Sequence, residues 1–424
     1  MDRRKFLQNA VGATLVGLAG RDFTLAQDSA HRLKIVIFWQ DGFPTIDGLN
    51  LSKPTLRSAL ALHNLIFANT AELTSKLTKD VDVFISPYGS AFPKSAWLAI
   101  LKYLQGGGNF LNLGGVPFAV PIAGTKPETR QVNYHKRLGI LQSFELDSAL
   151  AKSYRTNFDE LKNFARSAKV VTTFALYPRL TTQIEFPEEA GGDGAREGKM
   201  TALIHGLDAT GEAITAPIVM FDRLQGEFAG GRWVFANYSG SIGAETVRTL
   251  AEITSFGAMQ FSSRPVFSSY RSGEPIKLKI AIVCNNNEEK PREIYSFSYR
   301  ITNPDGTSNS LEAEGRWQKL TSIQFDVDLS KIARISGPGF YPVQTSSAIR
   351  LPGGAVFNIS KNTGFWVVDD KLMSVGAPIT YDRHFPIAMA SPFPLSGRPT
   401  WRPTCTGDFC LSRTRRFGTK ILPR

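Results

Sequence analysis

The chain has 424 residues, enough for two or three domains, and its 42% hydrophobic and 20% charged fractions exclude an intrinsically disordered chain. Three cysteines, Cys284, Cys405 and Cys410, are too few and too scattered for a disulfide framework or a zinc site, so no metal and no cofactor is expected. The formal charge of +12 would suit nucleic acid, but residues 386–424 alone carry Arg398, Arg402, Arg413, Arg415, Arg416, Lys420 and Arg424 against Asp408, so half of the excess sits in the last tenth of the chain and no nucleic-acid partner is expected.

The chain opens on Asp2-Arg3-Arg4-Lys5-Phe6-Leu7, followed by an apolar run over 10–19 that Gly12 and Gly17 interrupt and Gly20 closes. Paired Arg3 and Arg4, then Phe6 and Leu7, then a core too short to span a bilayer comfortably, look like a twin-arginine export signal ending near Leu25-Ala26-Gln27. On that reading residues 1–30 are removed, and the mature chain folds before export and works in the periplasm or outside the cell. No cysteine lies near the cut, which argues against a lipid anchor, and no membrane contact is expected once the signal is gone.

Residues 33–39, with Ile35, Val36, Ile37 and Phe38 as their apolar body, read as a buried strand, and Gln40-Asp41-Gly42-Phe43-Pro44 as the loop at its carboxyl end. In a doubly wound sheet ligands bind at that end, so Asp41 and Asp47 are candidate polar contacts. Asp-Gly is also ordinary turn chemistry, and that simpler reading is preferred. A helix is expected over 54–66.

The chain is organised around 81–118. Val81, Val83, Phe84 and Ile85 form an apolar run that stops at Ser86-Pro87-Tyr88-Gly89-Ser90, as a buried parallel strand does. A helix follows, with Pro93 in its first turn and Trp97, Ile100, Leu101 and Leu104 on one face, and Gly106-Gly107-Gly108 ends it. Phe110, Leu111 and Leu113 make the next strand and close on Gly114-Gly115-Val116-Pro117-Phe118, so the stretch predicts a right-handed βαβ unit.

Beyond Ile122 the pattern is mixed: a strand over 170–174, an acidic loop over 188–194 whose carboxylates read as solvated, a returning strand over 232–236 and a helix over 244–259. After Ser262-Ser263-Arg264-Pro265 the period changes to two. Ile276, Leu278, Ile280 and Ile282 alternate with polar or small residues, as do Tyr295, Phe297, Tyr299 and Ile301, and Ile323, Phe325, Val327 and Leu329. Turn signals at Asn303-Pro304-Asp305-Gly306 and Gly337-Pro338-Gly339 separate them. About seven short strands with this alternation read as an immunoglobulin-like sandwich, with Cys284 as a core thiol.

Three stretches carry a resemblance to known families: Ser86-Pro87-Tyr88-Gly89-Ser90-Ala91-Phe92-Pro93, Gly107-Gly108-Asn109-Phe110-Leu111-Asn112-Leu113-Gly114-Gly115, and Gly364-Phe365-Trp366-Val367-Val368. The first domain resembles the class I glutamine-amidotransferase-like fold. The whole order resembles bacterial secreted glycoside hydrolases that carry an export signal, an amidotransferase-like domain, a sandwich and then a catalytic (β/α)8 barrel. The implied fold class is α/β, with an amidotransferase-like (flavodoxin-like) parallel sheet domain over 31–262, followed by an all-β immunoglobulin-like sandwich over 265–372 and the start of a linker over 373–385. In the amidotransferase family a cysteine stands on a sharp strand-to-helix turn between glycines, activated by a histidine. The matching turn here, Leu113-Gly114-Gly115-Val116-Pro117, has no thiol, so the domain is expected to be silent as an amidotransferase.

From Tyr381-Asp382-Arg383-His384-Phe385 onward the resemblance stops. Relatives of this architecture continue with a segment of the type R-D-G-x-P-F-P-x-V-G-T-T-Y-M, the entry to the barrel. Read one nucleotide earlier, permitted codons for residues 396–407 give V-G-T-T-Y-M-A-S-D-V-H-R; the same shift turns 386–395 into P-H-R-D-G-E-P-F-P-A and 417–423 into V-W-D-E-D-F-A. Three matches in family order lead us to expect a frameshift near Phe385, with 386–424 an out-of-frame tail lacking a stable fold.

The parent reaction that the resemblance implies is hydrolysis of a glycosidic bond by two carboxylates at the strand ends of the barrel, and no catalytic residue is assigned to this chain. A second reading is an exported carbohydrate-binding or scaffold protein, whose signature would be aromatic side chains clustered on an exposed face of the sandwich. A third, an exported amidohydrolase, needs a thiol or serine paired with a histidine, and none of His31, His63, His135, His205 and His384 stands in a recognisable motif. Carbohydrate is the implied partner. A homo-oligomer is compatible with the resemblance, because amidotransferase-like domains of some glycosidases sit at subunit contacts.

Overall fold

The computed structural model describes residues 32–147, 150–167, 169–179, 197–284, 294–317, 322–329, 335, 337–350 and 356–368. The expected signal, the acidic loop, the linker and the tail lie outside the described residues.

Strand β1 (Lys34–Phe38) is buried from Ile35 onward, the signature of a central parallel strand covered on both faces. The expected helix over 54–66 is shorter: α1 (Lys53–Ala59) is capped by the Ser52 hydroxyl accepting from Thr55 N–H and stops at Leu60. Residues expected in its last turns form strand β2 (Asn64–Ala68), which pairs in parallel with the free edge of β1. Its Leu65-Ile66-Phe67 run satisfies either period locally, and the ladder offered by β1 decides the outcome.

A parallel βαβ unit forms over 83–113. Strand β3 (Val83–Ser86) and strand β4 (Phe110–Leu113) pair in parallel, joined by helix α2 (Trp97–Gln105). Pro93 lies outside that helix, ending the short strand Ala91–Pro93, and a 3-10 turn, Lys94–Ala96, leads into Trp97. Ile100 and Leu104 are buried as predicted, and so is Tyr103, whose hydroxyl donates to the Asn109 carbonyl at 3.0 Å. Gly107 takes φ +79°, a conformation that ends the helix without strain.

Helix α3 (Val132–Arg137), strand β5 (Ile140–Asp147), strand β6 (Ser153–Arg155) and strand β7 (Lys169–Pro178) follow. Next come strand β8 (Gly198–Leu207), strand β9 (Ala213–Arg223), strand β10 (Arg232–Ala236), strand β11 (Tyr238–Ser241) and helix α4 (Ala244–Ser255). The main sheet has eight strands in the order β2-β1-β3-β4-β10-β9-β8-β6. Its first five are parallel, and β9, β8 and β6 extend it antiparallel. A smaller antiparallel sheet, β11-β7-β5, lies beside it. Helix α4 ends four residues before Met259, because Gly257 turns the chain at φ +69°.

Met259 instead begins strand β12 (Met259–Pro265), the first strand of a β-sandwich. The others are β13 (Ser269–Arg271), β14 (Lys277–Cys284), β15 (Ile294–Thr302), β16 (Ser308–Trp317), β17 (Ser322–Asp328), β18 (Gly339–Arg350) and β19 (Val356–Val368). They form a three-stranded sheet, β12-β14-β17, and a five-stranded sheet, β13-β19-β18-β15-β16. The period of two sends Leu278, Ile280 and Ile282 from one sheet and Phe297, Tyr299, Ile301, Tyr341, Val343, Phe365 and Val367 from the other into one core. Phe261 stacks on Phe297 across the interface, and the hydroxyls of Ser263 and Thr345 meet at 2.7 Å. The expected core position of the Cys284 thiol lies outside what is described. The same hydrophobic cluster continues into the α/β region through Tyr238, Val247 and Leu250.

Candidate functional site

The order β2-β1-β3 reverses direction at β1, so the crevice between the carboxyl ends of β1 and β3 is the place where an open α/β sheet binds ligands. Here the chain's own loops meet across it. Ile46 bridges Gly89, and Gly48 bridges Gly114. Ile46 N–H donates to the Tyr88 carbonyl at 3.2 Å, and Ser90 N–H donates back to the Ile46 carbonyl at 2.7 Å. Gly114 N–H donates to the Ala236 carbonyl at 3.0 Å, anchoring the third loop to β10.

Three side chains close this knot. The Ser90 hydroxyl donates to Asp47 Oδ2 at 2.7 Å and accepts from Val116 N–H at 2.9 Å. Arg130 Nη2 donates to the same Asp47 oxygen at 2.7 Å, and its guanidinium lies over the Phe174 ring. Asp47 itself sits at φ +55°, uncommon for a residue with a side chain and tolerated best by Asp and Asn. Gly115 lies within the turn 113–117, which closes strand β4. Its φ is +54°, and a Cβ there would collide with Ser90 Oγ and stand 2.7 Å from Ser90 N and 2.9 Å from Asp47 Cβ.

The serine gives its proton to a carboxylate already held by a guanidinium, and among the described residues no histidine reaches either. Asp47, Ser90 and Arg130 therefore brace the loops, leaving the ion pair partly exposed at the carboxyl edge of the sheet. Asp41 lies apart from them and accepts from the Trp39 indole N–H at 3.0 Å, as loop chemistry predicts. Sequence reasoning named Asp47 as a candidate polar contact but preferred ordinary turn chemistry for it, and did not single out Ser90 as a bracing residue or Arg130 at all. The one available signal was the run of turn formers from Ser86 to Ser90.

The described histidines lie elsewhere. His63 Nε2 is 3.4 Å from Glu252 Oε1, both side chains 2% exposed, between the end of α1 and helix α4. His135 is buried on α3; burial first, then the charges of Arg130 and Lys136, pull its pKa down to about 4. His205 is also shifted down, by burial and then by Arg155. His31 and His384 lie outside the described residues. Among the described residues no group of three or more His, Cys, Asp and Glu could hold a metal ion.

No family model and no curated protein matches this sequence. Among solved structures, the chain is similar to a catalytic mutant of a GH42 β-galactosidase from G. stearothermophilus at 10% identity and TM-score 0.29, over 70% of this chain and 40% of that one. It is similar to the cold-adapted β-galactosidase from Rahnella sp. R3 at 10% identity and TM-score 0.32, over 69% of this chain and 41% of that one. The ApaA protein from Bordetella pertussis is similar over 26% of this chain and 92% of its own, at 10% identity and TM-score 0.20. The chain thus spans about 40% of the length of the β-galactosidases. At such TM-scores these likenesses assign neither fold nor function.

Proposed function

We propose that this chain is the non-catalytic front portion of an exported glycoside hydrolase. In this reading 31–262 is a class I amidotransferase-like, flavodoxin-like scaffold, and 265–372 is an immunoglobulin-like sandwich. The parent reaction, hydrolysis of O-glycosyl bonds, belongs to a (β/α)8 barrel encoded beyond Phe385 in the shifted frame. Arg3, Arg4, Phe6 and Leu7 direct export through the twin-arginine route.

The observation that carries the proposal is the family segment lying out of frame in 386–424. Three structural features support it. The parallel order β2-β1-β3-β4-β10 is compatible with a flavodoxin-like sheet, and the turn 113–117 that the resemblance matches to the nucleophile turn carries no thiol and packs Gly115 against Ser90 and Asp47. The order of the two sandwich sheets, three strands against five, is compatible with an immunoglobulin-like topology.

Resequencing the gene across the codons around Phe385 and past Arg424 tests the proposal. A single-nucleotide change that opens a frame into a barrel with two strand-end carboxylates is the expected result. A frame that truly ends at Arg424 refutes the enzyme-portion reading. The second reading, an exported carbohydrate-binding or scaffold protein without catalytic activity, is favoured by one observation: the ring pair Phe340 and Trp366 on the outward face of the five-stranded sheet.

A further inference from the structure

The inward face of the sheet β13-β19-β18-β15-β16 is core, so alternation leaves a second set of side chains facing away from it. Phe340 and Trp366 are cross-strand partners on β18 and β19, their rings 5.2 Å apart and tilted by 47°. Both are half-buried and neither belongs to the hydrophobic core. Gly364, on the same face, makes room for the Phe340 ring: a Cβ there would stand 2.8 Å from Phe340 Cε2 and would collide with Cζ. An apolar strip of two mutually tilted rings therefore runs from Trp366 over Phe340 to Gly364 and Pro342.

Along the same strands comes a polar row. Asn362 pairs with Gln344, and Gln344 pairs with Arg300 on β15. None of these three side chains has a hydrogen-bond or ion-pair partner among the described residues, and Arg300 and Asn362 are exposed. Asn362 is four residues from Trp366, roughly 13 Å at about 3.3 Å per residue, which exceeds the width of one sugar ring. Ring faces stack on the apolar faces of sugars, planar amides bind hydroxyls in both directions, and a free guanidinium takes a carboxylate as a bidentate partner.

We propose that this outward face binds a uronate-bearing saccharide chain, with sugar rings against Trp366 and Phe340 and a carboxylate on Arg300. The charge complementarity of Arg300 selects the acidic saccharide over a neutral one, and the amides Gln344 and Asn362 fix its hydroxyls. The inference rests on the carbohydrate reading of the chain. It does not depend on whether a catalytic barrel follows.

The test is affinity electrophoresis of the full chain in gels containing polygalacturonate or alginate, with neutral galactan as comparison. Retardation by a uronate polymer is expected, reduced at least tenfold in apparent affinity by Trp366→Ala and by Arg300→Ala, with Trp366→Phe and Arg300→Lys retaining part of it. Thermal melts of each variant show that the fold is intact. Three results overturn the proposal: no retardation in any gel, equal retardation by galactan and the uronates, or retardation that survives both alanine variants and disappears with salt, which is what a basic tail alone would produce. Resequencing reads out separately, so a frame ending at Arg424 together with uronate binding refutes only the enzyme-portion reading. A restored frame without binding refutes only this face.

Discussion

Gly115 shows how much a single position can decide. Its φ of +54° costs a side chain strain, and its contacts with Ser90 and Asp47 leave no volume for one. Gly211 has φ +86° but nothing within 4 Å of the point where a Cβ would stand, so it isolates the backbone cost. Gly211→Ala should lose about 1 kcal/mol, and Gly115→Ala about 3 kcal/mol or more, in urea denaturation. Equal losses would mean that packing against Ser90 contributes nothing. Asp41 and Asp47 make the limit of local reading plain. Both look like turn residues, yet Asp47 meets Ser90 and Arg130, which are 43 and 83 residues away. No local pattern encodes that meeting.

His135 carries a pH dependence at the same scale. Its folded pKa, about 4, lies below the ordinary 6.5, so the unfolded chain takes up a proton that the folded chain refuses. Its contribution is complete above about pH 6.5 and is lost as the pH falls toward 4, by up to about 3 kcal/mol. His135→Gln should flatten that limb of the stability profile, followed by melts between those pH values; an unchanged slope would place the dependence on other groups.

At the scale of elements, the boundaries that moved are those where a neighbour offered a better partner. Residues 64–66 left the expected helix for the edge of β1, and Met259 left α4 for the sandwich. Strands β9 and β10 and helix α4 are joined by a buried ion pair: Arg232 Nε donates to Asp222 Oδ1 at 2.7 Å and Nη1 to the Ile253 carbonyl at 3.2 Å. Burial pushes the Asp222 carboxyl up, and Arg232 opposes that shift. Arg232→Met alone should cost about 3–5 kcal/mol because it strands a buried carboxylate, whereas adding Asp222→Leu should recover most of the loss. Chemical denaturation of the two variants checks this; a double variant no more stable than the single would show that the pair itself is worth its desolvation.

Over the whole molecule, one hydrophobic cluster runs from Ile35 and Val83 through Tyr238 and Leu250 to Leu278, Tyr299 and Phe365. A core shared by the α/β region and the sandwich predicts a single cooperative unfolding transition in calorimetry, with calorimetric and van't Hoff enthalpies in agreement. Two resolved transitions would contradict it and point to independently folding domains.

The amino-acid sequence by itself determined the elements whose periodicity is local: the β3–α2–β4 unit, strand β10 and the alternating strands of the sandwich. There, burial on one face or two is written directly into neighbouring residues. Tertiary structure alone decided which edge β2 would take, which loops would cross the switch-point crevice, and that Phe340, Trp366, Gln344, Asn362 and Arg300 would share an outward face. Those outcomes depend on contacts between residues far apart in the chain, whose free energy exists only once the sheets have formed.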